Sequence, residues 1–314
     1  MNFSVIVPAY NASRTISSCL EAIFNSDFKD FEVVVIDDAS NDSTVEIAKK
    51  FPCRIVESAK HLGTHNIRNM AKNESRYDTL VYIDSDILIE PGTLIKIEHS
   101  FKEEPDLAAV VGVLSKTHPN NGYFSQYKNL YMHYVLNKCP RYIDFIYGSI
   151  YAIKKEHFQE CWPLGRFGED TDLGMRMCRK NLKILLNKEM EVIHLKNYSF
   201  VSFLLNDFIV PYYWAKIFIR QRGWADLVKK KRFSHARAGQ IISIVLAGLT
   251  FPFLFVSPTV SIALVVLFLL INLKFFTFLF RQRGVFFVFR AVFLTWLDML
   301  VMLSGIVCGL ITWF

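Results

Sequence analysis

Neither G-x-G-x-x-G nor G-K-[ST] occurs in the 314 residues, which disfavours a dinucleotide fold and a P-loop ATPase. The six cysteines, at positions 19, 53, 139, 161, 178 and 308, form no close pair and read as reduced, mostly buried thiols rather than a disulfide framework. There is no zinc-like ligand spacing. No interleaving of aromatic and basic residues suggests a nucleic-acid groove, so no nucleic-acid partner is expected. The first residues lack a basic stretch and a cleavable signal, and their apolar run SVIVPAY reads as a buried strand. Internal repeats and low-complexity tracts are also missing. Charge is scarce at one end only. Gly239 to Phe314 is 76 residues with five charges (Lys274, Arg281, Arg283, Arg290 and Asp298), whereas the first 238 residues carry 60. That layout suggests water-soluble chemistry held at a membrane.

Three spans are expected in the greasy part: Gly239 to Val256, with Pro252 expected to bend it; Pro258 to Phe280; and Ala291 to Phe314. Net charge is +7 overall, and the densest basic run is Lys229 to Arg232, just ahead of the first span. This run and the Arg281–Arg290 connection fall on one side, the cytosolic one, and the chain end on the other. A carboxylate in hydrocarbon is costly, so Asp298 is expected to face protein, to pair with Arg290 two turns earlier, or to lie near the interface. Gly305 and Gly309, four apart, permit close helix packing. Between soluble part and spans, Tyr198 to Trp224 mixes aromatics with Lys216, Arg220 and Arg222. It reads as one or two interfacial helices interrupted near Pro211. The domains are thus 1–197, catalytic; 198–238, interfacial helices and basic linker; and 239–314, membrane.

In the soluble part, strand-like runs at the N-terminus, at FEVVVIDDAS, CRIVES and TLVYIDSDILI alternate with helical patterns. This predicts an α/β fold with a mostly parallel central sheet, its polar residues gathered past the strand ends where such sheets bind ligands. Later pieces are less regular: a strand at Ala108–Leu114, a helix at Ser125–Cys139, a strand at Phe145–Lys154, a helix at Asp170–Lys180 with Asn181 as left-handed cap, and two short strands at Ile184–Leu186 and Val192–Leu195.

Acids at those ends carry the chemistry. Asp84 and Asp86 alternate at the end of a buried strand and point the same way. Carboxylates so placed suit a hard divalent cation that also takes phosphate oxygens and water; the plain alternative is a pair of turn-forming aspartates. Asp38, after the second strand, can accept from a ribose hydroxyl or a base N–H, or simply cap the next helix. Pro8 is expected to stiffen the loop after the first strand, with Tyr10 packing on a base and Asn11 beside it. His65, Arg68 and Asn69 fall near one another at helical spacing; Arg68 could reach a phosphate bidentately or form a surface ion pair. Glu169, Asp170 and Asp172 open a helix after the tight approach WPLGRFG. Helix-dipole stabilisation is one account. The other is a carboxylate deprotonating an acceptor hydroxyl, with Asp170 ahead of Glu169 and Asp172 held by Arg176. His194 is a structural histidine, a third metal ligand or a phosphate donor. Gly148 lets an acceptor or sugar approach closely, with Ser149 beside it.

These pieces together, VPAYN at 7–11, VIDDAS at 35–40, LGTHNIRN at 62–69, YIDSD at 82–86, YGS at 147–149, GEDTDLGMR at 168–176 and His194, resemble the membrane-anchored family 2 glycosyltransferases, which have the GT-A fold. The resemblance covers roughly residues 3 to 200. It implies inverting transfer from a nucleotide-diphosphate sugar, dependent on Mg²⁺ or Mn²⁺. It assigns Asp38 to the nucleoside, Asp84 and Asp86 to donor and metal, and Asp170 to the general base. Pro8, Tyr10, Asn11 and Arg68 complete the expected donor site, and His194 the expected metal set. The chain departs from the family's pattern with His61 for an asparagine, Ile67 for an alanine and Ser149 for a second glycine. Arg222 and Trp224 faintly resemble the acceptor motif of processive synthases, but the rest of that motif is missing; they join Gly148 and Ser149 as acceptor-side candidates.

A single-sugar transfer to a hydroxyl of a lipid-linked saccharide or glycolipid, at the cytosolic face of the cytoplasmic membrane, is therefore expected. One alternative is transfer to a polyprenyl phosphate, an anion that needs little help from a base. An alternative of another class is a catalytically inactive membrane anchor or transporter subunit.

Overall fold

Apolar residues occupy both alternate sets of positions in SVIVPA, VVVI and LAAVVGVL, the pattern of strands covered on both faces. The computed structural model describes residues 1–158 and 168–312, and of residues 225 and 226 the backbone alone. Two units form. The first holds residues 1–121 and 136–197, the second residues 122–135 and 198–314.

In chain order the first unit begins β1 (Phe3–Ala9), α1 (Ile16–Phe24), β2 (Phe31–Asp37), α2 (Thr44–Ala48), β3 (Arg54–Glu57), α3 (Thr64–Glu74), β4 (Thr79–Ile83), β5 (Ile87–Ile89), α4 (Thr93–Glu103) and β6 (Leu107–Leu114). Helix α5 (Tyr123–Asn137) comes next and belongs to the second unit through Val135. The first unit resumes with β7 (Tyr142–Ile143), β8 (Ile150–Lys154), α6 (Glu169–Arg179) and β9 (Lys183–His194). Among the described residues the strands make a nine-stranded sheet in the order β3-β2-β1-β4-β8-β6-β9-β5, with β7 on β9. Its β3-β2-β1-β4 half is wholly parallel, and β6 also runs parallel to β9; β8, β5 and β7 join antiparallel. Val5, Ile6, Val34, Ile36, Leu80, Val81, Val110 and Val111 are almost wholly buried. This rigid floor fixes where the loops past the strand ends must lie.

Several boundaries differ from the sequence reading. Pro8 belongs to β1, opposite Ile36, instead of the following loop. Pairing of β1 with β4 ends at Ile6, so the missing N–H falls where no β4 partner is waiting. The strand expected from Phe145 begins only at Ile150, which leaves Tyr147–Ser149 as loop. The two short pieces after Asn181 are one long β9, whose pairing with β6 slips in register twice. Asn181 itself has φ 59°, the left-handed conformation expected of it. The approach through Trp162 to Phe167 lies outside the described residues.

The second unit adds to residues 122–135 the helices and strands α7 (Phe200–Arg220), α8 (Trp224–Lys230), β10 (Arg232–Phe233), β11 (Ala236–Arg237), α9 (Ala238–Val256), α10 (Pro258–Arg283) and α11 (Val285–Ile311). The last three are long and apolar enough to cross a membrane, with mean hydropathies of 2.0, 2.5 and 2.0. At 19 residues α9 is about 28 Å long, close to the hydrocarbon thickness. They form an integral membrane anchor, and the basic residues before α9 and across the α10–α11 turn mark its cytosolic side.

Helix α7 is unbroken, with Pro211 inside it, where the sequence suggests an interruption. Its neighbour α11 explains the tolerance. A Cβ on Gly305 would run into the Phe208 carbonyl oxygen, and one on Gly309 into that of Tyr212. The two glycines thus seat α7 against the last span, which holds its backbone in place through the proline. Gly305→Leu is expected to lower the melting temperature of the detergent-purified protein by several degrees. Overpacking costs about 1–3 kcal/mol, and each kcal/mol shifts a chain of this size by about 2–4 °C. Asp298 does not pair with Arg290. The Arg290 guanidinium lies 4.0 Å from the Tyr123 ring centroid, whereas Asp298 is fully buried in the neighbourhood of Asp207 and Lys128, which are ion-paired with each other.

Candidate active site

The parallel register sets Ala9 opposite Asp37, so the loops after β1 and β2 emerge side by side. They are stitched together. Asp38 N donates to Ala9 O at 2.8 Å, Asn11 N to Ser40 Oγ at 2.9 Å, and Asn41 N to Asn11 Oδ1 at 2.8 Å. Asn11 and Ala39 take left-handed conformations, φ 49° and 59°, to make this turn. Tyr10 stands out of it and lies 4.2 Å, ring to ring, from His61. Asp38 is buried and already well used. It accepts from Leu62 N at 2.6 Å, from Gly63 N at 2.9 Å, and sits 2.9 Å from His61 Nδ1. The residue expected to read the nucleoside thus also pins the loop before α3. Tyr10, 44% exposed, and His61, whose side chain is 55% exposed, face outward, and Asn11 beside Tyr10 is exposed as well. Only its departure from the family's asparagine draws attention to His61 in the sequence.

At the end of β4, Asp84 N donates to Ser149 O at 3.1 Å, which ties the Tyr147–Ser149 loop to the acids. Strand β5 pairs Ile87 with His194, and His194 Nε2 lies 3.1 Å from Asp86 Oδ2. A third of the Asp84 side chain stays exposed, yet its enclosure pushes the carboxyl up to about 6, against the pull of Arg68. Desolvation also acts on Asp86, but His194 and Lys196 outweigh it and hold that carboxyl below its ordinary range. Among the described residues no three His, Cys, Asp or Glu side chains are grouped to hold a metal ion by themselves. Two adjacent carboxylates still fit a Mg²⁺- or Mn²⁺-like ion, which takes one or two protein carboxylates and completes its shell with phosphate oxygens and water.

The second set of acids reaches the same place. Gly168, at φ 97°, turns the chain into α6, whose first turn carries Glu169, Asp170 and Asp172. Arg176 Nε donates to Asp172 Oδ2 at 2.8 Å, which makes Asp172 a structural anchor for that turn. Glu169 is buried, and Arg68 Nη1 donates to its Oε1 at 2.7 Å. Burial pushes the Glu169 carboxyl upward, with Arg68 opposing and Asp170 reinforcing. Asp170 is only half-buried. Its Oδ2 accepts from Gly148 N at 3.0 Å and its Oδ1 from Thr171 N at 2.6 Å. Arg68 is 3% exposed, so the surface ion pair that the sequence left open is excluded. Its Nη2 donates to Gly148 O at 3.3 Å and lies 3.6 Å from Asp84 Oδ1. Loop 147–149, Asp84, Arg68 and the start of α6 therefore meet at one point.

Tyr147, absent from the expected site set, belongs to this cluster. Burial raises its phenol, a hydrogen bond with Ser149 opposes that rise, and Asp84, Asp86 and Asp170 add to it. The available signal was its place directly before Gly148. Arg222 and Trp224 lie in the second unit; Arg222 is left-handed at φ 47°, and Trp224 is 68% exposed.

A family model described as "Glycosyl transferase family 2" matches residues 4–162. The poly(ribitol-phosphate) β-N-acetylglucosaminyltransferase TarS of Staphylococcus aureus is 36% identical over 101 residues, which is 30% of this chain and 18% of that one. The glycosyltransferase GlyG of Streptococcus pneumoniae is 24% identical over 175 residues, 50% of this chain and 58% of the relative. The matched stretch thus spans less than two thirds of either relative. Among solved structures, the mannosyltransferase PcManGT of Pyrobaculum calidifontis, in complex with GDP-Man and Mn²⁺, superposes with a TM-score of 0.59 at 17% identity, covering 98% of this chain and 87% of that one. The sheet with its acid-bearing strand ends is the GT-A-like arrangement, its last three helices form a membrane anchor, and the chain belongs to glycosyl transferase family 2.

Proposed function

We propose that this enzyme moves one sugar from a nucleotide-diphosphate sugar to a hydroxyl of a lipid-linked saccharide or glycolipid, with inversion at the sugar carbon. The observation that supports this most is the meeting of the two acid sets: Asp84 and Glu169 share Arg68, and Gly148 holds Asp170 beside them. Asp170 is the base. It is half-buried, and both its oxygens are oriented by backbone N–H groups, so it can receive a proton from an acceptor hydroxyl without swinging away. Attack from that side expels the diphosphate on the other, which inverts the carbon.

Asp84 and Asp86, with His194 against Asp86, are the residues that would hold Mg²⁺ or Mn²⁺, an ion that offsets the charge of the departing diphosphate when bound. The solved mannosyltransferase of similar fold carries Mn²⁺ with its donor, in keeping with this reading. Tyr10 and His61 form the face offered to the base. A membrane anchor suits an acceptor carried by a lipid.

The test is a screen of nucleotide sugars against extracted membrane lipids, with Mn²⁺ or with EDTA, read by product mass. The expected result is a lipid product heavier by one sugar with Mn²⁺ and none with EDTA. Metal-independent transfer would remove the ion from the mechanism. No turnover of any donor by the intact protein would favour an inactive anchor.

A further inference from the structure

We propose that Arg68 is a positioning residue that orients Glu169 and Asp170 and ties them to Asp84, not a ligand of the donor phosphates. This rests on the transferase reading above.

A bidentate phosphate clamp uses two guanidinium nitrogens, either both terminal ones or one of them with Nε, and Arg68 Nε is buried out of a ligand's reach. Here Nη1 is engaged by Glu169, and Nη2 by Gly148 O and Asp84. The side chain is also held from below. Its Cζ lies 5.8 Å from the Tyr151 ring centroid, and that ring stacks on Tyr82 at 4.7 Å. The Tyr82 hydroxyl in turn donates to Arg68 O at 2.9 Å. Both ends of the residue are thus fixed to the sheet, while Ile67 and Ala71 on the same helix are buried. Moving the guanidinium to a phosphate would leave Glu169 buried without its cation, a costly state.

Its placement has a purpose for the acids. Asp84, Glu169 and Asp170 all act on this one buried cation, so it offsets their mutual repulsion. Through Gly148 it also reaches Asp170: Gly148 O accepts from Arg68 while Gly148 N donates to Asp170. One residue therefore sets the distance between the donor-side acid and the proposed base.

The experiment compares wild type, Arg68→Met, Arg68→Lys, Glu169→Gln and the double variant Arg68→Met/Glu169→Gln, all as full-length protein in detergent. Binding is measured by calorimetry with UDP and GDP, each with Mn²⁺, and turnover by hydrolysis of the matching nucleotide sugars. In Arg68→Met the expected kcat falls by about 10²-fold, the size of loss that misplacement of reacting groups produces, while nucleotide Kd and donor KM stay at wild-type values. The double variant is expected to be no worse than Arg68→Met, because the two side chains act as one unit. If Arg68→Met does not fold, Arg68→Lys decides: lower kcat with unchanged Kd supports the proposal. A Kd raised tenfold or more in either Arg68 variant, with kcat preserved at saturating donor, would overturn it. Failure of wild type to turn over any donor would instead strike the transferase reading.

Discussion

Asp170→Asn is expected to lower sugar transfer by about 10²–10⁴-fold, the usual contribution of a positioned base, while leaving nucleotide affinity unchanged. The substitution is nearly isosteric. The amide oxygen can still accept from Gly148 N, so the link between α6 and loop 147–149 survives, while the bond from Thr171 N is given up along with the capacity to take a proton. Initial-rate assays with the donor and acceptor found in the screen, alongside calorimetry with the nucleotide, separate these quantities. Transfer close to wild type would mean that the acceptor arrives already ionised. That outcome would move the acceptor from a hydroxyl to a lipid phosphate, on the same fold and anchor.

The second large effect is expected at a residue with no side chain. A Cβ on Gly148 would lie 2.6 Å from Arg68 Nη2 and 2.8 Å from Asp170 Oδ2. Both atoms end flexible side chains, which on a surface would simply swing aside. Here the guanidinium is enclosed and paired with Glu169, and Asp170 is held by two backbone donors. Gly148→Ala is therefore expected to fold, because no main-chain atom is struck, and to lose about 10²-fold in kcat as the proposed base and its cation are pushed off position. Thermal unfolding and turnover, measured on the same preparation, should dissociate: a small change in melting temperature beside a large change in rate. A full loss of folded protein would show that loop 147–149 bears stability more than geometry.

The acids of this site are legible in the sequence for a simple reason. A strand covered on both faces has no room for a carboxylate, so Asp37, Asp38, Asp84 and Asp86 can only mark places where strands run out. Partner choice is another matter. Arg290 and Asp298 share a helix face by spacing, yet Arg290 sits on the ring of Tyr123, more than 160 positions away in sequence, and Asp298 lies near Lys128 and Asp207. Helical periodicity says which side a residue faces, not which neighbour is there. Pro211 misled in the same way, because the helix that supports it arrives about 90 residues later. Likewise no local feature distinguishes an arginine that reaches outward from one locked inside. What decides Arg68 is Glu169, a hundred and one positions on.

Residues 122–135 carry a consequence for how the protein is made. On this segment Tyr127 packs edge-on to Phe203 and its hydroxyl pairs with Thr295 Oγ1 at 2.9 Å, while Tyr131 meets Phe275. Every one of those partners leaves the ribosome long after the segment itself. Until those helices have been made, these aromatic side chains lack the partners they have in the folded unit. The segment therefore reaches its folded packing only once α7, α10 and α11 have been made and brought to it.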